Sequence, residues 1–118
     1  AWAWSWQPLQ ISMAAAIGNF LAFGKPPKAV ILGDMLEMGD QSRQEHREII
    51  NLLLNKPFRL IILVGSEFKA VAKPSDPVMI FDDVQQASLW LKANPLQDYN
   101  ILVKGSRGIR MEKVLDVL

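Results

Sequence analysis

Two polar, glycine-bearing loops carry most of the chemistry this chain could perform. In the first, the apolar run Ala29-Val30-Ile31-Leu32 leads into Gly33-Asp34-Met35-Leu36-Glu37-Met38-Gly39. The carboxylates of Asp34 and Glu37 could hold a ligand's ammonium group or a magnesium ion, which prefers oxygen donors. The plainer alternative is that Asp34 caps a turn and Glu37 is solvated. In the second, Ile101-Leu102-Val103 leads into Lys104-Gly105-Ser106-Arg107-Gly108. Lys104 offers a point charge, Arg107 a two-pronged grip on a carboxylate, and Ser106 a hydroxyl. Free amides at a following helix N-terminus would add to the attraction for an anion. The plainer alternative here is a strand-to-helix turn with solvated cations. A site built from both loops could take a ligand with an ammonium at one end and a carboxylate or phosphate at the other.

Other chemistries are poorly supported. The chain has no cysteine and one histidine, His46, which argues against a zinc site and excludes a disulfide framework. His46 falls on the same helical stripe as Ile49, Ile50 and Leu53 and reads as a half-buried structural residue. The basic loop lacks the spacing of a Walker A motif, and no Gly-x-Ser-x-Gly elbow is present. Asp82-Asp83 would matter in a phosphoacceptor domain, but helix capping explains the pair more simply. Phe68 and Trp90 read as core.

The 118 residues suggest one domain, and half of them are hydrophobic. A net charge of +1 gives no general attraction to nucleic acid or membrane. No apolar run is long enough to span a bilayer, and no signal-peptide pattern opens the chain, so a cytoplasmic location is expected.

The elements that must position the loops alternate. Residues 1–11 are atypical and Trp-rich, with Trp2, Trp4 and Trp6 at strand spacing; they read as an edge strand or an extension. Ser12 caps a helix over Met13 to Phe23, which Gly24 and Pro26-Pro27 stop. A strand over Lys28 to Leu32 follows, then a helix opened by the capping box Ser42-Arg43-Gln44-Glu45. Next come a strand over Arg59 to Val64, a short helix from Ser66 and a strand over Val78 to Phe81. A helix capped by Asp82, with Gln85 as its reciprocal partner, leads to the last strand, Tyr99 to Val103, and a helix over Met111 to Leu118. The expected fold is α/β, an open and mostly parallel sheet with helices on both faces. Right-handed crossovers would put both loops on one rim, where such sheets bind ligands.

Both loops also resemble a known family. Leu32 to Gly39, followed by Ser42 and His46, is similar to a stretch of the Mur ligases of the MurF type. Val103-Lys104-Gly105-Ser106-Arg107-Gly108-Ile109-Arg110-Met111-Glu112 resembles their closing motif, and Ser12-Met13-Ala14-Ala15-Ala16 their entry to the same domain. The resemblance covers residues 12–118 and only the C-terminal third of such enzymes, a Rossmann-like domain. It implies an ATP-dependent peptide ligase that adds D-alanyl-D-alanine to UDP-N-acetylmuramoyl-tripeptide through an acyl phosphate. ATP and magnesium would be held mainly by a central domain outside this chain, with none expected on this domain alone.

Carried over by position, Asp34 and Glu37 would line the cleft near the attacking amine or order their loop. Lys104, Ser106 and Arg107 would lie near the dipeptide carboxylate or the developing phosphate charge. No catalytic residue and no metal site is expected within this domain alone, which should be inactive without the missing N-terminal and central domains. Neither nucleic acid nor membrane is an expected partner. One departure is clear: where the family has a Tyr-Asn-Ala-Asn-Pro run, this chain reads Trp4-Ser5-Trp6-Gln7-Pro8, and no residue transfers. The alternative is a stand-alone phosphate-sensing or receiver-like module with Asp34, Asp82 and Lys104 grouped on the rim.

Overall fold

The computed structural model describes residues 2–4, 13–35, 39–105 and 109–118. At its centre is β2 (Lys28–Gly33), buried at all six positions. A strand paired on both edges and covered on both faces has no solvent side, so its sequence shows no polar alternation. Its neighbours are β3 (Leu60–Val64) and β5 (Asn100–Lys104), with β4 (Met79–Phe81) beyond β3 and β1 (Trp2–Trp4) beyond β5. All four pairings are parallel, in the order β1-β5-β2-β3-β4. The tryptophan-rich start thus supplies an edge strand, with Trp2 opposite Ile101 and Trp4 opposite Val103.

The helices divide between the faces. α1 (Met13–Leu21), α2 (Ser42–Leu54) and α3 (Ser66–Val71) bury Ile17, Ile50, Leu53 and Phe68 against Val30, Leu32, Leu63 and Leu102. On the other face, α4 (Val84–Ala93) and a terminal 3₁₀ helix (Met111–Val117) pack Ala87, Leu91, Met111 and Val114 against Ile31, Ile62 and Val103. The chain steps one way across the sheet with α1, α2 and α3 on one face, then back from β4 to β5 with α4 on the other. A single crossover hand produces this arrangement.

Several element ends differ from the sequence reading, for local reasons. α1 ends at Leu21, because the Lys28 ammonium draws in the carbonyls of Leu21 (3.0 Å) and Phe23 (2.7 Å) and closes the helix there. The cap of α4 is Asp83, which accepts from the Gln86 amide at 2.9 Å, so Asp82 and Gln85 are each one residue early. Ser42 does not cap α2: a 3₁₀ turn (Gly39–Gln41) precedes it, and the serine hydroxyl donates to Glu67 Oε1 at 2.7 Å. The final helix is 3₁₀, and its buried residues Met111 and Val114 stand three apart, matching that helix's period. On the outer surface Arg47 grips Asp76 through both guanidinium nitrogens and also donates to the Val71 carbonyl, tying the turn after α3 to α2. That grip holds the Asp76 carboxyl below its ordinary value.

Candidate ligand site at the sheet's switch point

The two loops leave the sheet side by side. Leu32 is level with Lys104 across the β2–β5 pair, and a Cβ added to Gly105 would come within 3.1 Å of Gly33 Cα. From there the chain after β2 runs to α2 on one face, and the chain after β5 runs to the terminal 3₁₀ helix on the other. Neighbouring strands whose connections diverge to opposite faces leave a crevice, and open α/β sheets bind ligands there. Met111 closes the lower side of this junction, and a side chain at Gly33 would meet its Cγ and Sδ at 2.7 Å.

The acidic side is committed to the protein itself. Asp34 is 2% exposed, and its carboxylate accepts from the amides of Glu67 (2.8 Å) and Phe68 (3.0 Å) at the start of α3. It therefore caps a helix 33 residues further along the chain, filling the place where an anion would otherwise rest. Gly65 makes room: its φ is +123°, and a Cβ there would clash with the Asp34 carboxylate. His46 lies alongside, fully buried and edge-on to Phe68 at 4.6 Å. It is more buried than its helical stripe suggested.

The basic side is different. Lys104 is 2% exposed and shares the face of Leu102 and Leu32. Among the described residues no hydrogen bond or ion pair holds its ammonium; Asp34, on the neighbouring strand's exit, is already taken by α3. Burial pushes the Lys104 ammonium below the ordinary lysine value. A buried cation at a crevice, with no counter-charge among the described residues, suits a ligand carrying an anionic group.

The remaining sequence candidates divide. Glu37, Ser106 and Arg107 lie outside the described residues. Asp82 ends β4 and is ion-paired with Lys69 at 2.5 Å. With β3 and β2 between them, Asp82 and Lys104 stand about 14 Å apart at the usual strand spacing. The receiver-like triad of Asp34, Asp82 and Lys104 is therefore not assembled.

No family model matches the chain. A UDP-N-acetylmuramoyl-tripeptide–D-alanyl-D-alanine ligase from Rickettsia prowazekii (strain Madrid E) is 31% identical over 110 residues, covering 89% of this chain and 24% of that protein. A ligase of the same name from Buchnera aphidicola is 32% identical over 93 residues, covering 77% of this chain and 20% of that protein. A crystal structure of MurF from Acinetobacter baumannii superposes with a TM-score of 0.76 at 29% identity, covering 89% of this chain and 24% of its own. The chain belongs to the MurF ligase family. It spans about a quarter of the length of the relatives it matches. MurF from Thermotoga maritima, in complex with ADP, shares the fold with a TM-score of 0.69 at 22% identity.

Among the described residues of this MurF-type segment no three His, Asp or Glu side chains gather to hold a cation. The amide cradle after Gly65, where a phosphate could rest, is filled by Asp34. No helix is long and apolar enough to cross a membrane. Sequence reasoning placed His46 as a structural residue without its contacts, and missed Glu67. The Ser42-to-His46 spacing, one helical turn, was a usable signal for the first; nothing local pointed to Glu67.

Proposed function

We propose that this chain is the acceptor-positioning domain of a MurF-type ligase, which joins D-alanyl-D-alanine to UDP-N-acetylmuramoyl-tripeptide in the cytoplasm, in peptidoglycan precursor synthesis. The observation that carries this reading is Lys104, a buried ammonium at the switch-point crevice with no counter-charge among the described residues. In the proposal Lys104 receives the dipeptide carboxylate, helped by Ser106 and Arg107 of the same motif. Glu37 faces the dipeptide amine, and Asp34 orders the acidic loop by holding it to α3.

ATP and magnesium would supply the activation of the tripeptide carboxyl on parts of the full-length protein outside this chain. This domain's share is to orient the amine and neutralise the far carboxylate, a positioning role that enlarges the effective concentration of the attacking group. Alone, it should be inactive and bind the dipeptide weakly.

The test is a KM measurement on the full-length ligase carrying this domain. Lys104→Met should raise KM for D-alanyl-D-alanine at least tenfold and leave KM for ATP unchanged. An unaltered dipeptide KM overturns the reading. On the isolated chain, titration with the dipeptide should shift the amide signals of Gly105 to Gly108 only at millimolar concentration.

A further inference from the structure

His46 is a buried titratable side chain to which neither the fold nor the function described above has given a role, yet it makes a defined set of contacts. Nε2 accepts from the Met35 amide at 2.9 Å, and Nδ1 lies 2.6 Å from the Ser42 carbonyl, one turn back on α2. A carbonyl only accepts and an amide N–H only donates, so the ring carries its proton on Nδ1 and keeps a lone pair on Nε2. The Ser42 hydroxyl donates to Glu67 Oε1, and the Glu67 amide donates to Asp34, the residue before Met35. The result is a closed circuit through the exit of β2, the first turn of α2 and the first turn of α3. Asp34 and Met35 are each held by a different helix, Asp34 by the α3 amides and Met35 by the imidazole on α2.

We propose that His46 is a positioning residue for the ligation: its Nε2 fixes the Met35 amide and so sets where the acidic loop, residues 36–38 with Glu37, starts on the rim. This rests on the function proposed above. An ordinary core histidine would need only to fill space beside Phe68. Here the nitrogen that faces the loop is an acceptor, and the nitrogen that sets the tautomer is anchored to the helix backbone. That is a second, chemical requirement, which a ring of the same size without nitrogen cannot meet.

Three measurements test it. Nitrogen NMR of the labelled chain should show His46 as the Nδ1–H tautomer; a protonated Nε2 overturns the proposal. Hydrogen exchange at the Met35 amide should accelerate at least a hundredfold in His46→Phe and stay within about threefold of the parent in His46→Gln, whose side-chain oxygen can replace Nε2. Equal protection in the Phe variant overturns it. In the full-length ligase, His46→Phe should raise KM for D-alanyl-D-alanine with kcat changed less, and His46→Gln should restore it. Faster exchange at Met35 with an unchanged dipeptide KM also overturns the proposal. The Lys104→Met measurement judges the functional reading separately, and should His46→Phe fail to fold, the tautomer and the Gln variant still decide.

Discussion

Two lysines at opposite rims of one sheet show how the same side chain serves different ends. Lys28 begins β2 and is 6% exposed; Lys104 ends β5 and is 2% exposed. Lys28 gives its ammonium to the carbonyls of Leu21 and Phe23, with Phe20's carbonyl at 3.5 Å and the Phe20 ring centroid at 5.5 Å. Three carbonyls and a ring face replace the water it left, and the last turn of α1 gains a cation where its dipole favours one. Lys104 has undergone the same desolvation, and among the described residues nothing replaces its water. The amino-terminal rim is therefore finished as structure, while at the carboxyl-terminal rim the described residues leave the demand of Lys104 unmet.

Asp34 sharpens the contrast, because it shares the rim and the face of Lys104 but resembles Lys28 in being fully partnered. Replacing it with Ala strips one buried and one part-buried amide of their charged acceptor and should destabilise the chain by about 3 kcal/mol. Chemical denaturation of the parent and variant would measure this, and α3 amides should lose exchange protection first. A loss under about 1 kcal/mol would mean the carboxylate is held for something other than the fold.

Lys28→Met is the matching experiment at the other rim. It keeps the aliphatic stem and removes the donor, leaving the closing carbonyls of α1 to find water. The expected loss is about 2 kcal/mol, measured by thermal or urea unfolding. Fraying should be concentrated in α1, visible as faster exchange near its end. A neutral result would place Lys28 in the same class as Lys104 and dissolve the distinction.

What the sequence disclosed follows the same division between local and distant partners. The central strand, the amphipathic stripe of α2 and the break at Gly24 are set by neighbours in the chain, and they read clearly. So did the two motif loops, whose residue types are unusual wherever they occur. The role of Asp34 was not legible, because its partners lie 33 and 34 residues away and are backbone amides that any sequence possesses. His46 was legible in position but not in function, since an apolar stripe explains burial and says nothing about which nitrogen carries the proton. The cap of α4 slipped by one residue because Asp82 and Asp83 are chemically identical and only strand geometry separates them. Lys104 was legible as a point charge for a ligand, with a solvated cation as the alternative, but not as a buried one. Its burial comes from lying level with Leu32 on a strand covered from above, a consequence of strand order that no local pattern encodes.

The smallest expected effect is the most diagnostic, because its sign is opposite. Lys104→Met removes a buried charge that no described residue compensates, so the variant should be as stable as the parent or more stable by about 1 kcal/mol at neutral pH. The pH dependence fixes the cause. Burial lowers the folded-state pKa of Lys104 below the unfolded value of 10.5. Below that lowered pKa both states are protonated, and the parent carries the whole desolvation penalty. As pH rises from the lowered pKa toward 10.5, the unfolded chain binds more protons than the folded one, so the parent gains stability with pH. Methionine has no proton to lose, and the variant's advantage should shrink across that alkaline window and vanish above it. A variant that is less stable than the parent at neutral pH would show that Lys104, like Lys28, is held by partners within the fold. A variant that is stable yet loses its grip on D-alanyl-D-alanine in the full-length ligase would show stability given up for binding, which is the signature of a residue kept for its ligand.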